Sequence, residues 1–291
     1  MFALALVVVI ITVAVVPHQT LSATTPKQAL PGCKSTCGNV EIPYPFGIGN
    51  SSTPGHRPCF LDRKFKLTCD GSILYYGNVR VSNISFLSHQ IDLLASFASL
   101  CHQQNGSELP KSYHLRTGSF SISSNENKLL TVGSDSYGYV NSYFNGESYS
   151  TGCLTSSHGN TKRIKNGTCS GIGCCQVDIP PGMRNITLRA RVFHNSTLDW
   201  GNCSYSFVVK NGFYNFSTTD IQSFPHKKIP LVLDWTVGNK SCDDSNSKGN
   251  EACKWNSYCD DKDTDFGYRC RCKDGYEGNS YLGCTGNLIY P

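Results

Sequence analysis

The chain has 291 residues, with 26 Lys and Arg against 21 Asp and Glu, a formal net charge of +5, and 16 cysteines. An even cysteine count of this size excludes a reducing compartment as the working environment, because thiols pair wherever oxidation is permitted. The modest basic surplus suits an extracellular polyanion, and on a secretory route nucleic acid is not an expected partner.

Phe2 to Val16 form an apolar run broken only by Thr12, followed by Pro17 and a polar stretch ending Leu21-Ser22-Ala23. The run is too short to span a bilayer and reads as the apolar part of a secretory signal, residues 1–23, cleaved after Ala23. No Lys or Arg precedes it, so a retained anchor is the alternative. Later in the chain the best apolar run, Ile229 to Val237, contains Pro230 and Asp234 and is not a membrane span.

The cysteines fall into two blocks, ten spread from Cys33 to Cys203 and six crowded between Cys242 and Cys284, with the boundary near Ser241. Up to eight disulfides are expected, and the pairing of the first ten stays open. Cys33-x3-Cys37, Cys174-Cys175 and Cys270-x-Cys272 come nearest to zinc spacing, but none has a matching second half. No metal site is expected.

Ile42, Tyr44 and Phe46 recur at period two with Pro43 and Pro45 between them. The prolines remove amide donors and force an extended, edge-like path. Two roles are open for Tyr44 and Phe46: a ledge on which sugar rings stack, or plugs of the core, the commoner fate of aromatics.

The remainder of the first block reads as mostly β. Val79 and Val81, Leu129 to Val132, Ile186 to Val192 and Ser204 to Val209 are strand segments. Ile186, Leu188, Ala190 and Val192 alternate, as do Tyr205, Phe207 and Val209, which gives each strand one buried face. Leu87, Ile91, Leu94, Ala98 and Cys101 recur at helical spacing inside a Ser-rich stretch, so Leu87 to Cys101 stays open between helix and strand.

From Thr24 to Lys240, 20 Lys and Arg face 12 Asp and Glu; from Ser241 to Pro291, 6 face 9. The basic surplus therefore belongs to the larger region. Its candidates for gripping an acidic polymer are Arg57, Arg63, Lys64 and Lys66 around Cys59, then Lys162, Arg163 and Lys165, then Arg184, Arg189 and Arg191. A planar guanidinium holds a carboxylate through two hydrogen bonds, although each of these residues also has the ordinary role of a solubilising charge. Arg189 and Arg191 share strand parity opposite the apolar face and are the better-placed pair. Asn-x-Ser/Thr acceptors stand at Asn50, Asn83, Asn105, Asn166, Asn185, Asn195, Asn202, Asn215 and Asn239, each expected at the surface and glycosylated on this route.

Three segments together resemble the ectodomain of plant wall-associated receptor kinases: Cys37-Gly-Asn-Val-Glu-Ile-Pro-Tyr-Pro-Phe-Gly-Ile-Gly49, Cys169-Ser-Gly-Ile-Gly-Cys-Cys-Gln-Val-Asp-Ile-Pro-Pro-Gly182, and Ile229-Pro-Leu-Val-Leu-Asp-Trp-Thr-Val-Gly238. The resemblance implies a mostly β, disulfide-rich fold: a cysteine-rich galacturonan-binding domain with a wall-associated-kinase segment over residues 33–209, a connecting segment 210–241, and a small EGF-like module 242–284. The spacing Cys242-x10-Cys253-x5-Cys259-x10-Cys270-x-Cys272-x11-Cys284 looks like an EGF-like domain in its own right. By resemblance its pairs are Cys242 with Cys259, Cys253 with Cys270, and Cys272 with Cys284.

Calcium is not expected, because Gly238-Asn-Lys-Ser241 stands where calcium-binding modules of this type carry acids, and Asp260, Asp261, Asp263 and Asp265 read as a solvated loop. No cofactor is expected. The resemblance implies non-catalytic binding of homogalacturonan (pectin), with this chain secreted into the cell wall, whereas full-length family members are single-pass plasma-membrane proteins. The chain carries no Gly-rich nucleotide loop or HRD segment, its eight histidines are scattered, and no GxSxG elbow or HExxH helix is present, so no catalytic role is expected. The alternative is a secreted decoy or co-receptor that binds a protein, receptor or peptide partner through the EGF-like module.

Overall fold

The computed structural model describes residues 28–55, 57–103, 105, 107–144, 147–157, 160–193, 203–245, 252–264 and 266–286. The expected signal segment 1–23, and the acceptors Asn195 and Asn202, lie outside the described residues. No described helix is long and apolar enough to cross a membrane.

The described residues form a mostly β, disulfide-rich fold built on three antiparallel sheets. A six-stranded back sheet runs in the order Ser121–Ile122, Ile229–Asp234, Gln90–Ala95, Val79–Ser85, Ile73–Tyr76, Thr68–Asp70. A five-stranded middle sheet follows as Cys174–Asp178, Asn127–Val132, Cys203–Lys210, Ala98–His102, Glu108–Lys111. The four-stranded outer sheet is Glu147–Thr155, Ser136–Phe144, Ile186–Val192, Tyr113–Leu115.

Alternation decides which faces close. In Ile186–Val192 the side chains of Ile186, Leu188 and Ala190 are buried while Thr187, Arg189 and Arg191 are only half-buried, as a period of two requires. The strand Cys203–Lys210 departs from the single buried face expected of it and is buried along both. The reason is its central place in the middle sheet: Tyr205, Phe207 and Val209 pack with Leu130, Val132, Phe216 and Ile221, while Val208 on the other face joins the main core under the outer sheet.

The open segment Leu87 to Cys101 resolves into two strands, Gln90–Ala95 and Ala98–His102, which belong to different sheets. Ile91, Leu93 and Ala95 alternate inward, both edges of the first strand are hydrogen-bonded, and Leu87 is 72% exposed, so the helical spacing is unused. Phe46 is 1% exposed, with its ring centroid 5.1 Å from Phe65, 5.4 Å from Trp235 and 5.9 Å from Phe120. Tyr44 is buried beside it. The pair plugs the core, and the sugar ledge is set aside because Phe46 offers solvent no ring face.

All 16 cysteines pair. The first block holds Cys33–Cys59, Cys37–Cys69, Cys101–Cys203, Cys153–Cys175 and Cys169–Cys174. The second holds Cys242–Cys259, Cys253–Cys270 and Cys272–Cys284. This second block does not hang free of the first. Val237 and Tyr268 exchange backbone hydrogen bonds of 2.8 and 3.0 Å, the Asn279 amide donates to the Tyr44 carbonyl at 2.6 Å, and Tyr268, Cys270 and Tyr281 share one core with Trp235.

Candidate functional site

The outer sheet turns its second face to solvent, and register sets what that face presents. Residues directly opposite in an antiparallel pair share a face. Arg191 lies opposite Tyr137, and Tyr137 opposite Leu154; Arg189 lies opposite Tyr139, and Tyr139 opposite Gly152. The Tyr137 and Tyr139 ring planes are within 17° of one another with centroids 6.2 Å apart, and Phe193 extends the row 5.5 Å from Tyr137. Tyr137 is 36% exposed and Phe193 37%.

This face is basic by omission as much as by content. The strands Ser136–Phe144, Ile186–Val192 and Tyr113–Leu115 contain no Asp or Glu, and Glu147 stands at the far end of the edge strand. Neither Arg189 nor Arg191 makes an ion pair with a described residue. Arg189 Nε is shielded from water and makes no hydrogen bond among the described residues, so its half-buried guanidinium is not committed to a described partner. Beyond the arginines, His114 Nδ1 and Thr187 Oγ1 meet at 3.0 Å.

The acceptors Asn50, Asn83, Asn105, Asn166, Asn185, Asn215 and Asn239 are all exposed, and none lies within the four strands of the outer sheet. Tyr137, Tyr139 and Phe193 were not among the residues the sequence singled out. Their signal was present in Tyr137, Tyr139, Asn141 and Tyr143, which recur at period two, but the small and polar residues between them disguise a strand.

The other candidates divide by what already holds them. Lys64 lies on the short 3-10 turn Arg63–Phe65, where its ammonium donates to the Gly238 carbonyl at 3.3 Å and stands 3.9 Å from Asp62. Burial pulls its pKa below the ordinary lysine value; Asp62 opposes the shift and the nearby Arg184 charge adds to it. Arg184 places its guanidinium 4.8 Å from the Phe266 ring centre. Both residues therefore serve the seam with the second block. Arg57, Arg63 and Lys66 are exposed.

Lys162, Arg163 and Lys165 are exposed and, with Thr168, Ser170 and Ile172, line a cleft of about 490 Å³. No group of acids, histidines or cysteines among the described residues could hold a metal ion. Asp265-Phe266-Gly267 spells a kinase triplet, but the Phe266 carbonyl here accepts from Thr236 Oγ1 at 2.7 Å inside the disulfide-bonded second block.

Residues 33–95 match the family model for wall-associated receptor kinase galacturonan-binding domains. Wall-associated receptor kinase 2 of Arabidopsis thaliana is 36% identical over 262 residues, 87% of this chain and 34% of its own length. Wall-associated receptor kinase 3 is 35% identical over 267 residues, 86% of this chain and 34% of its own. The chain thus spans about a third of the length of these curated relatives, along their cysteine-rich, ectodomain-like part, and the kinase part of those proteins has no counterpart in this sequence. No solved structure matches.

Proposed function

We propose that this chain is a non-catalytic, secreted receptor-type module that binds acidic cell-wall polysaccharide of the de-esterified homogalacturonan class, with Arg189 and Arg191 as its principal cation pair. The observation that carries this reading is the placement of two arginines, without ion-pair partners among the described residues, two positions apart on an open sheet face whose central strands carry no acid. Such a pair stands about 7 Å apart along a strand, so it meets a row of carboxylates rather than a single one. The family match over residues 33–95 supports the same class of ligand, and Arg57, Arg63 and Lys66 within that match add positive field at a second exposed region. Eight disulfides and exposed acceptor asparagines support an extracellular, glycosylated protein.

The test is binding of the full chain to a pectin series of graded methyl esterification at several salt concentrations. Affinity is expected to fall with both, because salt screens the attraction and esterification deletes the carboxylate. Equal binding to the fully esterified polymer at every salt concentration overturns the reading.

A second reading, a protein or peptide partner at the EGF-like module, is favoured by one feature. A cleft of about 530 Å³ at the seam is lined by Leu87, Tyr258 and Tyr276, which are 72%, 46% and 37% exposed. Tyr276→Glu separates the two readings, since it spoils this cleft and leaves polysaccharide binding unchanged.

A further inference from the structure

The geometry points to Tyr137 and Tyr139 as the stacking half of the saccharide site, so that the outer sheet reads two properties of one uronate chain: the apolar face of its sugar rings and the charge of its carboxylates. This inference rests on the function proposed above and assigns residues that lie outside the segment matched by the galacturonan-binding family.

Three observations carry it. The tyrosines are not incidental neighbours of the arginines: register places Tyr137 opposite Arg191 and Tyr139 opposite Arg189, so each ring is paired with one cation on the same face. Strands in a sheet lie about 4.8 Å apart, which lets a sugar resting on one strand's ring present its carboxylate to the next strand's guanidinium. The rings also form a near-parallel row, with Phe193 continuing it beyond Tyr137. Contiguous exposed aromatic surface marks an interaction site on a folded protein, and here Tyr137 and Phe193 are exposed side by side on a sheet whose four strands contain no acceptor asparagine.

The occupant follows from complementarity. The face combines aromatic rings with cations whose charge no described acid neutralises. A neutral glucan would use the rings and waste the arginines, whereas an inorganic anion would do the reverse. A polymer of uronic acids uses both, and its chain runs along the paired strands over two adjacent tyrosine–arginine rows.

The experiment compares Tyr137→Ala/Tyr139→Ala and Arg189→Glu/Arg191→Glu in the full chain, each titrated with free-acid oligogalacturonate and with its methyl ester. Near-UV circular dichroism checks the fold. The tyrosine variant is expected to lose about tenfold in affinity for both ligands alike, at low and high salt, because stacking does not depend on the carboxylate. The arginine variant is expected to lose affinity for the free acid selectively. Tyr137→Phe/Tyr139→Phe keeps the rings and restores binding, which distinguishes stacking from hydroxyl hydrogen bonding. A folded tyrosine-to-alanine variant that binds both ligands as the wild type does overturns this inference while leaving the function proposed above standing; failure of the wild type to prefer the free acid removes that function itself. Sedimentation that shows a wild-type dimer, lost in the alanine variant, would assign the face to self-association instead and overturn the inference.

Discussion

Gly138 lies so close under Ser206 that a Cβ on the glycine would stand 2.3 Å from the serine Oγ, and 2.2 Å from Thr131 Oγ1. The outer and middle sheets meet at this point with no room for a side chain. Gly138 is also the residue between Tyr137 and Tyr139, so the close approach of the two sheets lies directly beneath the strand that carries both rings.

Gly138→Val is therefore expected to destabilise by about 1–3 kcal/mol or more, since an added side chain must push two packed sheets apart. Gly138→Ala should cost less. Chemical denaturation gives the stability, and saccharide affinity should fall with it because both aromatic rows move. Wild-type stability in the valine variant would show that the contact is loose.

The second block is expected to behave as part of the core and not as a detachable bead. Tyr281 is fully buried against Trp235 at 5.6 Å, and its hydroxyl accepts the Cys270 amide at 3.1 Å. Tyr281→Ala should cost about 3–5 kcal/mol, the range for removing a large buried aromatic. Tyr281→Phe should cost about 1–3 kcal/mol by leaving the amide without its acceptor. A single cooperative unfolding transition that shifts as a whole in both variants would confirm the shared core, and a shift confined to a separate minor transition would refute it.

Acid should weaken the fold through His89. It is 2% exposed, with its ring 4.6 Å from Trp235 and 6.0 Å from Tyr281. Burial first, and then the Arg269 and Arg271 charges, pull its pKa down to about 3. An unfolded histidine takes up its proton near pH 6.5, so between about 6.5 and about 3 the unfolded chain binds more protons than the folded one. Stability from this residue is complete above that window and falls as the pH drops through it, by up to about 5 kcal/mol. His89→Asn keeps a residue tolerant of the positive φ of 56° there and should flatten the slope over this range. An unchanged slope would place the titration elsewhere.

What could be read from the sequence was local. The parity of Arg189 and Arg191 follows from a period of two within seven residues, and the structure keeps it. The fate of Lys64 could not be read in the same way, because its acceptor at Gly238 lies 174 positions away along the chain. Arg184 is similar, since its partner Phe266 belongs to the other cysteine block. For Tyr44 and Phe46 the pattern gave the alternation but not which side would be covered. That was decided by Phe65, Phe120 and Trp235 arriving from three distant segments. The tyrosines of the outer face are a different case: they alternate visibly, but a run of Ser, Gly and Asn between aromatics lowers strand propensity until neighbouring strands supply the pairing.

The disulfides should differ in worth by the length of chain they close. Cys101–Cys203 joins the middle sheet across a separation of 102 residues, and Cys169–Cys174 closes a separation of 5. Chain-entropy arguments assign about 5 kcal/mol to the first and about 2 kcal/mol to the second. Alanine pairs at each position, compared by denaturant midpoint, should keep that order. A reversed order would mean that the short loop holds structure the entropy argument does not count.

The cleft of Lys162, Arg163 and Lys165 should matter for long polymers and little for short ones. These residues follow the edge strand Glu147–Thr155, and the loop carrying the rest of the cleft is fastened beside that strand's end, with Ser156 N donating to the Gly171 carbonyl at 2.9 Å. The three cations therefore stand beyond the edge of the outer sheet and not on its tyrosine–arginine rows. A short oligogalacturonate seated on those rows does not reach them, but a longer chain leaving the sheet on this side passes through their field, which extends about 8 Å at 0.15 M salt. Lys162→Glu/Arg163→Glu/Lys165→Glu is expected to weaken polymer binding several-fold at low salt, less at high salt, and to leave short-oligomer affinity near the wild-type value. Calorimetry across a length series measures this directly. Equal losses at every length would bring the cleft into the primary site, and no loss at any length would reduce it to a solvated basic loop.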